Sequence, residues 1–288
     1  MGKFSNKVAV VTGGAASIGA NITRRLHADG ATVIVAARSI DKGQAIAEEL
    51  GERCVFIATD IRQDADLQHL VDTTVARFGH IDFLVNNACS YGDDGADTDR
   101  QTWLDTLNTN AVSAAILGEM ARPSLKSAGG NIINIGSISG AFPHIGRWAY
   151  PVAKATLRHL SKTQAVEYSA DNIRVNLLVL GHIWSDPFEG LTGDNRAHAD
   201  KVSTPYNLMG RVANGDEVAN VVSFVASDEA SYMTGGEIPV DGGYSAMGPE
   251  QHGYGISSDN SMPTQTLTIL SAIDADHQQI HIQPIVSQ

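Results

Sequence analysis

The chain has 288 residues, 43% of them hydrophobic and 18% charged, with a formal net charge of −12. Such proportions describe a globular protein with ample material for a core, and the length suits one large α/β domain. So acidic a chain is a poor partner for nucleic acid or an anionic membrane, although local cations can still serve one site.

Two cysteines, Cys54 and Cys89, are too few for a disulfide framework and point to a reducing compartment, the cytoplasm. The start, MGKFSNK, has no signal-peptide core, Asn6 breaks the myristoylation pattern, and no apolar run has membrane-spanning length.

In chain order, the valine-rich run Lys7 to Thr12 reads as a buried strand. Gly13, Gly14 and Gly19 follow, and a helical pattern (Ile18, Ile22, Leu26) begins near Ser17 and stops at Asp29-Gly30. Further strands are expected at Thr32 to Ala36, Cys54 to Ala58, Ile81 to Val85, Asn131 to Ile135, Ile173 to Val179 and Glu237 to Val240. Helices are expected at Asp41 to Leu50, Asp64 to Phe78, Arg100 to Arg122, Tyr150 to Ser169 and Asp216 to Ala226, with residues 181 to 214 irregular. Alternating strands and helices with short connections imply an α/β fold: one doubly wound parallel sheet of about seven strands, helices on both faces. Residues 1–247 form that domain. From Gly248 to Gln288 the composition changes to a flexible or subunit-contacting extension; its His277 and His281 have metal-compatible spacing, but no metal is expected.

Ligands of such sheets bind beyond the carboxyl ends of the strands. Gly13, Ala37-Arg38, Asp60, Asn87, Ser137 and Gly181 all fall at such ends. Glycines between a first strand and a first helix let the backbone approach a pyrophosphate at the helix N-terminus. An acid at the end of the second strand would bind the ribose hydroxyl of NAD. This chain has Arg38 there and no acid until Asp41, which favours the 2′-phosphate of NADP(H) over NAD(H).

Ser137 precedes Tyr150 and Lys154. If a helix begins at Tyr150, with Pro151 tolerated in its first turn, Lys154 lies one turn on and the same face. An ammonium about 4 Å from a phenol contributes roughly 4 kcal/mol to its ionisation at an effective dielectric of ~20. That lowers the phenol towards working pH unless desolvation opposes it, and gives an acid/base.

From Lys7 to Gly243 the chain resembles the short-chain dehydrogenase/reductase family. The match carries TGGAASIG at Thr12 to Gly19, Asp60-Ile61, NNAC at Asn86 to Cys89, Asn110, Ser137, YPVAK at Tyr150 to Lys154 and IRVN at Ile173 to Asn176. The resemblance implies a Rossmann-type fold and hydride transfer between a nicotinamide dinucleotide and a secondary alcohol or ketone. It implies that Tyr150 moves the proton, Lys154 lowers its pKa and holds the nicotinamide ribose, and Ser137 bonds the substrate oxygen. Asn110 would kink its helix and help carry a proton-returning water chain. Gly13, Ser17, Ile18 and Gly19 would meet the dinucleotide, with Arg38, Asp60, Ile61, Asn87 and Ala88 at its adenosine end and Gly181, Ile183 and Ser185 near its nicotinamide. A homo-oligomer, tetramer or dimer, is implied as well. The departures are Ser17 for the turn's middle glycine, Cys89 for the glycine after Asn-Asn-Ala, Gly136 for a serine, Leu180 for a proline, and Ser185 for a threonine.

Substrate contacts are expected from Ser90 to Asp94, Ser139 to Trp148 and the loop 182–210. His144, Arg147 and Trp184 are candidates, in a polar setting suited to a sugar, polyol or keto acid. The alternatives are an NAD-dependent alcohol or polyol dehydrogenase and a non-catalytic dinucleotide-binding protein; the full set of Asn110, Ser137, Tyr150 and Lys154 speaks against the latter.

Overall fold

The computed structural model describes residues 2–248, and its compact unit ends at Ser245. Residues 249–288, which hold most of the expected extension with His277 and His281, lie outside the described residues. The strands are β1 (Val8–Thr12), β2 (Thr32–Ala37), β3 (Cys54–Ala58), β4 (Phe83–Asn86), β5 (Asn131–Ser137), β6 (Arg174–Leu180) and β7 (Glu237–Val240). The helices are α1 (Ser17–Ala28), α2 (Ile40–Leu50), α3 (Asp64–Phe78), α4 (Arg100–Leu107), α5 (Ser113–Ala128), α6 (Ala149–Tyr168), α7 (Asp186–Thr192), α8 (Arg196–Ser203) and α9 (Gly215–Ala226).

The strands form one sheet in the order β3-β2-β1-β4-β5-β6-β7, with all neighbours parallel. Alternate residues of each strand point to opposite faces. Ala9, Val11, Val33 and Val35 therefore join Ile22 and Leu26 of α1 and Val218 and Val222 of α9 in one core layer. Val8, Val10, Ile34 and Leu84 join Leu67 of α3, Leu117 of α5 and Ala165 of α6 in the other. After β3 the chain returns across the sheet to β4, beside β1. That reversal opens a crevice at the carboxyl ends of β1 and β4, where both the first glycine turn and Asn87 arrive.

Two expectations need correction. The helix expected to stop at Arg122 runs to Ala128 with Pro123 inside it, because Ala121 and Leu125 on either side of the proline are buried in the core. It is also interrupted by a π turn at Asn108–Val112, between α4 and α5. Residues 181 to 214 are not irregular: they hold α7 and α8. The short helices escaped periodicity because each is under nine residues; in the first of them Pro187 is a first-turn proline and Gly193 a left-handed C-cap.

Candidate active site

The cofactor end is built by backbone. Gly13 leaves β1 at φ +65°, and a Cβ at Gly19 would come within 2.1 Å of the Gly13 carbonyl and 2.6 Å of Asn87 Nδ2. Only glycine lets the first turn of α1 close so tightly on β1 and β4. Thr12 Oγ1 accepts the backbone N–H groups of Asn87 (3.0 Å) and Ala88 (3.1 Å), while Asn87 Nδ2 donates to the carbonyls of Thr12 (3.0 Å) and Gly13 (3.3 Å). Ser17, where the family has glycine, takes the left-handed φ of +50° and accepts a bond from the Asp186 backbone N–H at 3.3 Å.

This turn borders a cleft of about 770 Å³ that runs past Arg38, Asp60, Ile61 and Ala88. Its length and the bare amides at the start of α1 fit a pyrophosphate-linked dinucleotide. Arg38 is exposed at the end of β2 and forms no ion pair among the described residues. Asp60 is paired with Arg62 (2.6 Å), whose hydrogen bonds hold its carboxyl below the usual range against desolvation. Arg62 and Lys42 also line this cleft, and sequence reading missed both; an arginine two residues past Asp60 was the available signal.

A second cleft of about 460 Å³ shares Ile18, Asn87, Cys89, Tyr91, Ser185 and Pro187 with the first. Ser137, Tyr150, Lys154, Gly181 and Ile183 border it. Helix α6 starts at Ala149, with Pro151 in the first turn, so Tyr150 and Lys154 share a face. The ring of Tyr91 stacks on that of Tyr150 at 4.8 Å between centroids, and Ser137 and Tyr91 both act on the ionisation of the Tyr150 hydroxyl. Lys154 is 3% exposed; its Nζ donates to the Ile135 carbonyl at 2.9 Å and stands 5.7 Å from the centre of the Tyr150 ring.

The expected lowering of the phenol is not what this arrangement gives. Burial raises the Tyr150 pKa, assisted by the nearby Cys89, and outweighs the polar influence of Ser137 and Tyr91 and the charge of Arg147 that act the other way. The ammonium, 5.7 Å from the ring centre, is itself lowered by burial, which weakens its pull on the phenol.

The loop carrying Tyr91 is pinned to the start of α6. Asp93 accepts the backbone N–H of Tyr150 at 2.8 Å through Oδ2. Through Oδ1 it accepts those of Trp148 and Gly95, each at 3.0 Å, and the Thr98 hydroxyl at 3.1 Å. Burial works against its charge, but these donors keep its carboxyl below the usual value. Asn110, buried on the π turn, spends its carboxamide on one residue: Oδ1 accepts from Ser90 N and Nδ2 donates to Ser90 O, both at 2.9 Å.

Of the three substrate candidates, His144 and Arg147 border the second cleft and Trp184 does not. The Trp184 ring lies under the Arg196 guanidinium, 5.5 Å from its centre, and its backbone N–H donates to Ala213. The neighbouring His182 borders the cleft instead, with Phe188 and Leu191 of α7, a helix the sequence pattern did not reveal. Among the described residues no cluster of three metal-ligating side chains occurs, and no helix is long and apolar enough to cross a membrane.

Comparison with known proteins agrees with this architecture. The family model described as enoyl-(acyl carrier protein) reductase matches residues 13–245. The chain is 34% identical over 250 residues to the cis-4-hydroxycyclohexanecarboxylate dehydrogenase of Sinomonas cyclohexanicum, covering 85% of this chain and 98% of that one. Among solved structures, a short-chain type dehydrogenase/reductase from Mycobacterium marinum superposes with a TM-score of 0.78 at 30% identity, over 85% of this chain and 98% of the other. The L-sorbose reductase of Gluconobacter frateurii, solved with NADPH and L-sorbose, does so with the same score and identity, over 84% and 98%. The chain therefore belongs to the short-chain dehydrogenase/reductase family and is an oxidoreductase acting on CH–OH groups.

Proposed function

We propose that this protein is an NADP(H)-dependent oxidoreductase that interconverts a small polar secondary alcohol and its ketone, with Tyr150 as the proton-carrying residue. One observation carries the reading. Ser137, Tyr150 and, one turn on, Lys154 line the smaller cleft, which shares Asn87, Cys89 and Tyr91 with the dinucleotide cleft. When bound, the dinucleotide supplies the hydride chemistry at its nicotinamide. Ser137 donates a hydrogen bond to the substrate oxygen, where charge develops. Tyr150 gives that oxygen its proton in reduction and removes it in oxidation. Lys154, fixed by the Ile135 carbonyl, holds the ribose end and its positive charge favours the phenolate.

The raised pKa of Tyr150 has a direction. A phenol that keeps its proton at neutral pH is ready as an acid, so ketone reduction is favoured there, and alcohol oxidation gains rate as pH rises towards that pKa. Support for NADP(H) comes from Arg38, with Lys42 and Arg62 on the same cleft, and from the NADPH bound to the sorbose reductase. The substrates named for the relatives, a hydroxylated cyclohexanecarboxylate and a ketose, support a small polar substrate.

The test follows nicotinamide absorbance with NADPH and NADH over a panel of ketones and aldehydes. Tyr150→Phe should lower kcat by about 10³-fold while the dinucleotide still binds, since general acid–base groups contribute ~10²–10⁴. Arg38→Ala should raise the NADPH dissociation constant about 10- to 100-fold, the value of a lost charge-assisted bond, and leave that of NADH within about twofold. Equal losses for both cofactors would overturn the NADP(H) assignment, and full activity in Tyr150→Phe would overturn the role of Tyr150.

A further inference from the structure

We propose that His144 and Arg147 form a carboxylate-binding subsite, so that the substrate is a small keto acid or the corresponding hydroxy acid. The proposal rests on the reading of Tyr150 as the proton-carrying residue and names the substrate class of that same site.

The first ground is charge. The chain has 32 aspartates and glutamates against 20 lysines and arginines, yet no carboxylate lines the cleft beside Tyr150 among the described residues. Two cations do, Arg147 and Lys154, together with His144 and His182. The dinucleotide cleft, by contrast, is lined by Asp60 and Asp186 as well as by its cations. A pocket cleared of acids in so acidic a protein is suited to an anion.

The second ground is the Arg147 guanidinium. Its Nη1 donates to the carbonyls of Tyr91 (2.9 Å) and Asp93 (3.2 Å), which fixes the fork. Its Nε and Nη2 have no hydrogen bond or ion pair among the described residues. An anchored guanidinium with donors to spare presents the geometry a carboxylate binds. Lys154 is no equivalent, being buried and bonded to Ile135.

The third ground is the turn that joins the two residues. His144 and Arg147 face each other as an isolated antiparallel bridge, closed by Gly146 at φ +74°. Bridged partners project to the same side. His144 Nε2 is buried with no hydrogen-bond partner among the described residues, a cost that a ligand oxygen would remove. Burial favours the neutral form of this imidazole, and a neutral ring with its proton on Nε2 can donate to a carboxylate. Phe188 and Leu191 give the same cleft an apolar wall for the carbon skeleton. The carboxylate takes no part in the redox step: the carbonyl carbon gains the hydride and its oxygen the proton, as in the reaction proposed above.

The experiment uses the full chain with NADPH and a graded series of keto acids: pyruvate, acetoacetate, levulinate and 4-oxocyclohexanecarboxylate, each paired with its methyl ester. At least one acid should exceed its ester in kcat/KM by about 10-fold or more, because a hydrogen-bonded charged group is worth roughly 10- to 100-fold. Arg147→Gln should remove that ratio, mostly through KM for the acid, and His144→Phe should reduce it about threefold. A purely structural Arg147, serving only the Tyr91 and Asp93 carbonyls, would lower acid and ester alike and overturn the proposal. So would esters that match their acids throughout in the unmodified protein. Should no ketone turn over, the same acids and esters are titrated calorimetrically into NADPH-loaded Tyr150→Phe protein. Binding of an acid but not its ester, lost in Arg147→Gln, upholds the subsite while the catalytic reading fails; no acid binding overturns the subsite.

Discussion

The two clefts that meet at Tyr91 and Asn87 are built in opposite ways. The dinucleotide end is made of strand tips and the first turn of α1, and its shape depends on main-chain closeness: Gly19 against the Gly13 carbonyl, Thr12 Oγ1 on two amides. The substrate end is lined by side chains from the ends of β5 and β6, from α6 and α7 and from the loops between them, and its Tyr91 loop is latched by Asp93 and Arg147 rather than by sheet. Backbone sites tolerate few substitutions because the alternatives clash. Side-chain sites vary with little cost to the fold, since loops carry no sheet register. The family can therefore keep one cofactor end and change substrates at the other.

The sharpest way to break this contrast is at Gly19. A Cβ there would sit 2.1 Å from a carbonyl oxygen that belongs to backbone and cannot move aside. Gly19→Ala should raise the dinucleotide dissociation constant about 100-fold or more and lower stability by about 1–3 kcal/mol, the usual cost of overpacking. Fluorescence titration and a thermal melt check both. A variant that binds the dinucleotide normally would mean the turn is soft, and the dinucleotide end would lose its claim to be backbone-built.

The smaller cleft should respond differently. Asp93 takes four donors onto one carboxylate, among them the amide of Tyr150 itself. In Asp93→Asn one oxygen becomes an NH2 group, which faces an N–H as donor to donor. One lost bond to a charged acceptor is worth ~1.5–3 kcal/mol, so kcat should fall about 10-fold or more as Tyr150 shifts, with the dinucleotide dissociation constant within about twofold. Stopped-flow reduction and dinucleotide titration separate the two. If the dinucleotide weakens as much as kcat does, the Asp93 loop serves both clefts and they are not independent.

The same contrast explains how much could be read from the sequence. The alternation of strands and helices in one parallel sheet was legible in valine runs and punctuating glycines, and Gly13, Gly19, Asn87, Ser137, Tyr150 and Lys154 all come to the two clefts. Loop geometry was less legible. Trp184 has the right chain position for a substrate contact, yet Arg196, from a helix the periodicity missed, covers its ring. Asp93 looked like one acid in a polar loop, and its role at the start of α6 depends on a contact 57 residues away in sequence. The Tyr150 pKa was misjudged for a related reason: the spacing of Tyr150 and Lys154 shows that they share a face but says nothing of how deeply both are buried.

The smallest effect is expected at Ser17, the one residue of the glycine turn that departs from the backbone logic. A non-glycine residue at φ +50° carries about 1–2 kcal/mol of strain, and glycine would remove it, less what it gains in unfolded-chain entropy. Ser17→Gly should therefore raise Tm by about 2 °C in a chain of this size. The opposing force is the hydroxyl, which accepts the Asp186 amide at the start of α7 and so joins the dinucleotide turn to the substrate loop. A fall in Tm would mean that this bond outweighs the strain. The serine would then be kept as a tether between two ends that are otherwise built separately, and the Asp186–Thr192 segment should show faster amide exchange in the glycine variant.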